Sequence, residues 1–388
     1  MGAGVMKIGH YALGLRQAGG ISTYIRRVSA VQQSLGHAVH FFDQLSSSTA
    51  GLSADEPIAV EDDGQLFAAA SRLGLDVLHV HTLVKHPERS PMPILRTLHG
   101  HEPYCPSGGR FLGRWRKPCD RAYSVLGCGW GHVVDHCGSV RPGAMMAEFR
   151  RTHDEMEHTC RLPVLAVSDY LKREMVRNGY DAARIHVLRP PMPSEGEQSN
   201  DPPPRDGVPR FVFLGRLTPS KGADWLIEST ARVRTPIQID IAGEGNAEQD
   251  LRRLVSRLRI EDRVTFHGWV NGEVAIRLMR AARALVFPSL WQEPAGISAL
   301  EAAGNARAVI ASRVGGLPEM VIEEETAIVL EPGNVNALAG AMERLAVDWD
   351  LAARLGQEGF RAIPERFALG QHVDALMDFY RQCIAGRL

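Results

Sequence analysis

The chain of 388 residues lacks any apolar run approaching the roughly 18 residues of a membrane-spanning helix. Its 44 Lys and Arg residues nearly balance 45 Asp and Glu residues, which argues against bulk electrostatic capture of nucleic acid. Only six cysteines are present, which excludes a disulfide-dense scaffold. The first residues show no basic region followed by a long apolar core, so we expect no signal peptide and a cytoplasmic location.

Hydrophobic residues at 44% and charged residues at 23% are ordinary for a globular enzyme, and the length favours two domains or more. The first half opens with a strand-like segment at Lys7–Tyr11, then Gly19 and Gly20, a helical pattern over 22–35 and a second strand. This order predicts a βαβ unit. No G-x-G-x-x-G follows the first strand, which disfavours a nicotinamide-dependent dehydrogenase.

Seven prolines fall within residues 189–209, a composition typical of a linker. We therefore predict a first domain over 1–193, a linker over 194–209 and a second domain over 210–365. Residues 366–388 are expected to form a helix that packs back towards the first domain. The second half alternates strands and helices, which predicts an α/β fold of two doubly wound, Rossmann-like domains with a ligand cleft between them.

Three strand ends of the second half carry polar or glycine-rich turns, and ligands of open parallel sheets bind at such ends. The first turn, Gly215–Gly222, places two cations where an anion could bind, although a solvated loop explains it as well. The second, Gly243–Gly245, allows either close approach to a ligand or a plain turn. The third carries Glu293 before a predicted helix and Glu301 within it, roughly 12 Å apart at about 1.5 Å per residue.

Glu293–Glu301 resembles the E-x7-E motif of retaining glycosyltransferases of family 4, which have the GT-B fold. The resemblance extends through segments that cover essentially all of 210–345, namely Gly215-Arg216-Leu217, Ser220-Lys221-Gly222, Ala242-Gly243-Glu244-Gly245, His267-Gly268-Trp269-Val270 and Val314-Gly315-Gly316-Leu317-Pro318-Glu319. The first half matches more loosely, through Gly19-Gly20, Thr97-Leu98-His99 and Val167-Ser168.

The resemblance implies transfer of a hexose from a nucleoside diphosphate sugar to an acceptor hydroxyl, with retention of configuration and no cofactor. Its catalytic positions would be His99, Glu293, Arg216 and Lys221. The donor-binding set that it implies consists of Gly19, Gly20, Arg216, Lys221, Glu244, Trp269, Val270, Glu293, Gly296, Ile297 and Glu301. Within that set, the two cations would hold the diphosphate, Glu293 the transferred sugar and Glu301 the ribose.

A Cys/His-rich, basic insertion is predicted over 99–141. Its cysteines, Cys105, Cys119, Cys128 and Cys137, leave gaps of 13, 8 and 8 residues, which are irregular for a zinc motif. A structural zinc ion, disulfides and unrelated buried thiols all stay open as interpretations. Its basic and aromatic residues suit a lipid-linked acceptor or the anionic inner face of a membrane, and equally an ordinary solvated loop.

The sequence thus predicts a glycosyltransferase, with cell-surface glycan or polysaccharide synthesis as the pathway that family analogy suggests. Two alternatives stay open: a nucleotide-sugar epimerase on the same fold and a catalytically silent GT-B binding subunit. The sugar, the base, the acceptor and the oligomeric state are not fixed by the sequence.

Overall fold

The structure is a computed structural model that describes residues 4–16, 19–44, 56–193 and 198–388. The first four residues of the predicted 194–209 linker lie outside this range. No helix in the described part of the chain is long and apolar enough to cross a membrane.

The first half forms a seven-stranded parallel sheet with strand order β3-β2-β1-β4-β5-β8-β9 and a separate two-stranded hairpin, β6–β7. Its elements in chain order are β1 (Lys7–Leu13), α1 (Gly20–Ser34), β2 (Ala38–Gln44), β3 (Ile58–Val60), α2 (Asp63–Leu73), β4 (Val77–Val80), β5 (Ile94–Leu98), β6 (Phe111–Leu112), β7 (Lys117–Pro118), α3 (Val125–Val133), α4 (Pro142–Thr159), β8 (Val164–Ala166), α5 (Asp169–Arg177) and β9 (Ile185–Val187).

The second half forms a six-stranded parallel sheet with strand order β12-β11-β10-β13-β14-β15. Its elements are β10 (Arg210–Leu214), α6 (Ala223–Thr230), β11 (Gln238–Ala242), α7 (Glu248–Leu258), β12 (Val264–Gly268), α8 (Gly272–Ala281), β13 (Ala284–Phe287), α9 (Ile297–Gly304), β14 (Ala308–Ser312), β15 (Ala327–Leu330), α10 (Val335–Val347), α11 (Trp349–Phe367) and α12 (Leu369–Ile384). The predicted α/β class with two doubly wound sheets is confirmed.

Local sequence explains the layering of each domain. All five residues of β14, Ala-Val-Ile-Ala-Ser, are buried, as expected for a strand of a parallel sheet covered by helices on both faces. Helix α7 instead buries one stripe, Leu251, Leu254 and Val255, and exposes arginines elsewhere. In each sheet the strand order reverses once, between β1 and β4 and between β10 and β13. These reversals place two crevices at carboxyl ends of strands.

The chain returns to the first domain at its end. Helix α11 continues to Phe367, so the C-terminal helix begins at Leu369 rather than at residue 366. Leu376 and Tyr380 of α12 are fully buried in one apolar cluster with Ile8 of β1. Helix α12 is therefore part of the core of the first domain.

Helix α4, which follows the insertion, is anchored to the first sheet by a buried ion pair. Arg96 of β5 donates from both terminal nitrogens to the two carboxylate oxygens of Glu155 in α4, at 2.6 and 2.9 Å. Both side chains are almost fully buried. A bidentate pair in this setting fixes the direction in which α4 leaves the sheet.

Candidate active site

The carboxyl edge of the second sheet gathers three of the predicted turns. The loops after β10 and β13 flank the strand-order reversal, and the loop after β11 lies beside them. The backbone N–H of Leu217 donates to the carbonyl of Glu244 at 2.8 Å, and that of Leu290 to the carbonyl of Ser220 at 2.8 Å. The turns therefore form one continuous surface.

Glycine is required where these loops touch backbone to backbone. At Gly243, with φ +139°, a Cβ would lie 1.9 Å from the carbonyl oxygen of Gly215. At Gly222, with φ +71°, a Cβ would lie 1.8 Å from the carbonyl oxygen of Pro288. The sequence left two roles open for such glycines, close approach to a ligand and a plain turn. In the structure they allow one loop to pack closely on the next.

Glu293 lies at the centre of this surface and is almost fully buried, with 4% of its area exposed. Its Oε1 accepts a hydrogen bond from Nζ of Lys221 at 2.7 Å and from Oγ of Ser289 at 2.6 Å. The Lys221 ammonium also lies 4.7 Å from the centre of the Trp291 ring. Oε2 accepts no hydrogen bond from any described residue and is the oxygen that a ligand hydroxyl can reach.

The backbone of Glu293 is held by two glycines of the loop after β14. The N–H of Gly316 donates to the Glu293 carbonyl at 2.6 Å, and the N–H of Gly315 donates to Oε1 of Gln292 at 2.7 Å. Gly315 has φ +56°, and a Cβ there would lie 2.1 Å from the Glu293 carbonyl oxygen. Val314–Glu319 is one of the segments that carry the resemblance, but its role in positioning Glu293 depends on contacts that form only in the folded chain.

Helix α9 begins directly after the loop that follows β13 and carries Glu293. Its N-cap, Gly296, contributes no side-chain hydrogen bond, so N–H groups of the first turn, including that of Ile297, point outward as donors for an anion. One turn further, Glu301 faces Arg27 of α1 at 3.6 Å. Helix α1 likewise begins after a glycine that provides no side-chain cap, Gly19, with Gly20 as its first residue.

The remaining residues of the predicted donor site lie along the same edge. The Arg216 side chain is exposed and makes no hydrogen bond or ion pair with the described residues. Glu244 accepts a hydrogen bond from the backbone N–H of Trp269 at 3.3 Å. The Trp269 ring is 60% exposed, and Val270 beside it is half-buried. An exposed indole next to a carboxylate provides a flat surface on which a nucleobase can stack.

His99 lies at the end of a chain of hydrogen-bonded histidines in the first domain. Its Nε2 is 2.9 Å from Nδ1 of His81, whose Nε2 is 3.2 Å from Nδ1 of His10. The last ring nitrogen, Nε2 of His10, is 3.0 Å from Oε1 of Gln32. Since the Gln32 oxygen can only accept, each histidine in turn donates from Nε2 and accepts at Nδ1. The Nδ1 of His99 is then left with a lone pair.

Burial keeps these imidazoles neutral. It lowers the pKa of His99 to about 3 and that of His10 to about 4. The pKa of His372 in α12 is lowered to about 4, again chiefly by burial. His372 donates from Nδ1 to the carbonyl of Arg189 at 2.8 Å and lies 3.0 Å from the Tyr24 hydroxyl. His99 therefore acts as a neutral hydrogen-bonding group at ordinary pH.

Nitrogen atoms of His10, His79 and His81 all lie within 4.8 Å of one another, as a metal site would require. Both ring nitrogens of His79 are occupied, at 2.7 Å from the Tyr380 hydroxyl and 2.7 Å from the Thr97 hydroxyl. His10 and His81 are likewise bonded at both nitrogens. The cluster is a satisfied hydrogen-bond network rather than a set of open ligands.

Three contacts join the two domains around Glu293. Ser168 donates to the carbonyl of Pro294 at 2.6 Å, and Nε2 of His101 donates to that of Gln292 at 2.6 Å. Glu319 accepts hydrogen bonds from the backbone N–H groups of Asp169 and Tyr170 at 2.8 and 2.7 Å. A carboxylate of the second domain thus caps α5 of the first, and the carboxyl edges of both sheets face each other.

Gln292 is the site residue that sequence reasoning missed most clearly. Its carbonyl accepts from His101, its Oε1 accepts from Gly315, and its Nε2 donates to Asp120 at 2.7 Å. It therefore ties the insertion to the loop that presents Glu293. Its position next to Glu293 was the available signal.

The predicted donor-binding residues of the second domain all lie along one edge of its sheet, namely Arg216, Lys221, Glu244, Trp269, Val270, Glu293, Gly296, Ile297 and Glu301. Gly19 and Gly20 lie at the start of α1, the helix whose Arg27 contacts Glu301. A separate cavity of about 570 Å³ lies between α6 and α7 and has none of these residues in its wall. The four predicted metal-binding cysteines line another cavity, within the insertion.

A comparison with known protein families finds a match in the second half of the chain. Residues 194–362 match the family model described as Glycosyl transferases group 1. An uncharacterised glycosyltransferase of Methanocaldococcus jannaschii is 30% identical over 179 residues, covering 46% of each chain. An alpha-D-kanosaminyltransferase of Streptomyces kanamyceticus is 28% identical over 247 residues, covering 62% of this chain and 61% of that protein.

The chain thus spans less than two thirds of the length of these relatives. Among solved structures, Anabaena HepE in complex with UDP-glucose superimposes with a TM-score of 0.70 at 16% identity, covering 97% of this chain and 100% of that one. This likeness over nearly the whole length confirms the predicted GT-B fold. The chain is related to transferases that move sugars.

Gly315→Ala tests how Glu293 is positioned. The alanine would combine positive φ with a Cβ 2.1 Å from a carbonyl oxygen, so we expect a loss of about 3 kcal/mol in the free energy of unfolding. Gly333→Ala is the matched control, because it has φ +81° and nothing within 4 Å, and should cost about 1 kcal/mol. Urea denaturation measures both. Equal losses would contradict the packing role of Gly315.

The neutral histidines predict acid sensitivity. In the folded protein the pKa values of these histidines lie below the 6.5 of an unperturbed histidine. Below pH 6.5 the unfolded chain therefore binds protons that the folded protein does not bind. Stability should therefore fall from pH 6.5 towards pH 4, by up to about 1.4 kcal/mol per pH unit for each group. His372→Gln should reduce this slope by up to one group's share in urea denaturation at pH 7, 6 and 5. An unchanged slope would show that His372 does not contribute.

Proposed function

We propose that this protein transfers a sugar from a nucleoside diphosphate sugar to an acceptor hydroxyl, with retention of configuration, as a family 4 glycosyltransferase. One observation carries the proposal: the buried Glu293 carboxylate, with one oxygen fixed by Lys221 and Ser289 and the other open, lies just before the uncapped N-terminus of α9. A carboxylate that accepts hydroxyl hydrogen bonds beside an anion-binding helix end suits a sugar phosphate.

The diphosphate would lie between the two helix ends. Helix α9 offers backbone N–H groups near Gly296 and Ile297, and α1 offers its uncapped end at Gly19 and Gly20 from the opposite domain. The Arg216 side chain is exposed and has no hydrogen-bond or ion-pair partner among the described residues, so its guanidinium is available as a counter-charge. Lys221 is shared, since its ammonium already binds Glu293 and has further donors for a phosphate oxygen. On this basis we propose donor binding without a divalent metal.

The two glutamates would hold opposite ends of the donor. Glu293 would accept hydroxyls of the transferred sugar at Oε2. Glu301 lies one turn into α9, where it would accept ribose hydroxyls next to its present neighbour, Arg27. The Trp269 ring, with Val270 and Glu244 beside it, would contact the base. That the solved HepE complex contains UDP-glucose supports a donor of this class.

The reacting centre would be completed by His99. Its neutral ring, with Nδ1 as an acceptor, would bind a hydroxyl of the transferred sugar or of the acceptor. Glu293 is a poor covalent nucleophile because its Oε1 already carries two hydrogen bonds and its charge is shared with Lys221. We therefore propose front-face attack by the acceptor, whose proton passes to the departing phosphate.

The experiment is a donor screen by thermal shift with UDP-, GDP- and ADP-sugars in the presence of a chelator. Binding raises stability by RT ln(1 + [L]/Kd), so a donor at about 100 Kd adds roughly 2.7 kcal/mol. We expect one base to be preferred and chelation to have no effect. Binding that requires added magnesium would contradict the metal-free donor site, and no response to any donor would favour a catalytically silent binding subunit.

Kinetics then separate the two glutamates. Glu293→Gln should lower kcat by about tenfold or more, because its contacts are at the bond being broken. Glu301→Gln should raise KM for the donor with little change in kcat, because the ribose is remote. Conversion of the donor sugar without acceptor would instead indicate the epimerase alternative. If both variants lost the same activity, in proportion to their loss of stability, neither residue would have a specific role.

A lipid-linked acceptor belongs to the same proposal. Leu126, Trp130 and Val133 follow helical spacing on α3 and are 88, 61 and 59% exposed, which gives the insertion an apolar face beside exposed basic residues. Co-sedimentation with anionic vesicles should be at least threefold stronger for the wild type than for Leu126→Ser/Trp130→Ser. Equal sedimentation would remove the membrane-facing part of the proposal.

A further inference from the structure

The insertion contains a small cavity lined by all four of its cysteines. Cys105 follows β5, Cys119 follows β7, Cys128 lies in α3 and Cys137 follows α3, so four separate segments converge on it. None of the four is in a disulfide. The cavity volume of about 20 Å³ leaves room for roughly one water-sized particle.

A buried histidine lines the same cavity and is only half satisfied. His132 has no exposed area, and its Nε2 has no hydrogen-bond partner. Its Nδ1 lies 3.0 Å from the carbonyl oxygen of Ser139, so Nδ1 carries the proton and Nε2 carries a lone pair. A carbonyl that fixes the ring through Nδ1 while Nε2 stays bare is the usual arrangement of a histidine that ligates a metal.

Two arginines of the cavity wall lie close to the cysteines, and each is paired with a carboxylate. They are Arg110 and Arg121. Arg110 is buried and its Nε has no partner, although its terminal nitrogens bind Glu174 and the carbonyl of Arg121. Arg121 in turn donates to Asp135 at 2.6 Å, so thiolate ligands would lie beside two guanidinium groups that are each already paired with a carboxylate.

We propose that Cys105, Cys119, Cys128 and Cys137 bind a thiophilic metal centre, with His132 able to replace one of them. The chemistry is thiolate ligation, and two centres use it: a tetrahedral zinc ion and an iron–sulfur cluster. The cavity volume suits a single ion. The sulfur atoms, however, are further apart than one ion demands, since no three of them fall within 4.8 Å, whereas tetrahedral Zn–S bonds of about 2.3 Å place sulfurs about 3.8 Å apart.

Such a centre would hold together a segment with little regular structure. Between β5 and α4 the chain forms only a hairpin of two-residue strands and the nine-residue α3. His101 and Asp120 from this segment both bind Gln292, the neighbour of Glu293. The metal would therefore position the insertion side of the cleft without touching a substrate, and its existence does not depend on the proposed function.

The test is metal analysis of the full-length protein purified anaerobically without a metal-affinity column. We expect about one equivalent of zinc, or about four of iron with matching acid-labile sulfide and visible absorption. Zinc content identifies the single-ion arm, and iron with sulfide identifies the cluster arm. Less than about 0.1 equivalent of both metals, with all six thiols of the unfolded wild type reacting with a thiol reagent, would overturn the proposal.

Variants locate the centre. Cys119→Ser/Cys137→Ser should lower metal content about tenfold, because His132 can replace only one of the two lost cysteines. Cys160→Ser, at an exposed cysteine outside the cavity, should leave it unchanged. If a cavity variant does not fold, the wild type provides the test. A thiol-modifying reagent is added and the released metal is followed with a zinc or iron indicator. The proposal requires that metal release accompanies modification of four thiols. Equal loss of metal in Cys160→Ser, or release without thiol modification, would overturn the assignment.

Discussion

The ion pair between Lys221 and Glu293 joins the loops on the two sides of the strand-order reversal in the second sheet. A carboxylate this deeply buried is costly unless it is paired and hydrogen-bonded, and Lys221 and Ser289 supply both. Because one oxygen is fully used, Glu293 is held in one orientation, and the other oxygen faces outward. The glycines at 222, 243 and 315 allow the surrounding loops to approach closely enough for this pair to form.

The domains meet around the same carboxylate. Contacts from Ser168 and His101 end on the carbonyls of Pro294 and Gln292, the residues that flank Glu293, while Glu319 caps α5 across the interface. A change in the relative position of the domains would therefore move the loop that carries Glu293. The loop that carries Glu293 is therefore in direct contact with the insertion, through the hydrogen bonds of Gln292 with His101 and Asp120.

The first domain contributes neutrality rather than charge. His10 lies on β1 and His79 on the adjacent strand β4, and His81 and His99 directly follow β4 and β5, so the rings meet within a buried interior. Desolvation outweighs every hydrogen bond that could favour protonation, and the pKa values fall far below 7. The chain of hydrogen bonds in which His99, His81 and His10 donate in turn and the Gln32 oxygen accepts has a single direction, which fixes the tautomer of His99, the residue nearest the cleft.

The alternation of strands and helices along the chain was sufficient to predict two parallel sheets, which the structure has, whereas the donor-binding residues named from the resemblance stay a prediction. Strand and helix periodicities are local, and parallel strands bring their carboxyl ends to one edge whatever the details of packing. Only the tertiary structure decided that Lys221 binds Glu293, that Gln292 links three segments, that His99 ends a histidine chain and that four scattered cysteines share a cavity with His132. These partners are far apart along the chain, and packing selects them because a buried polar atom must find whichever donor or acceptor the fold brings near.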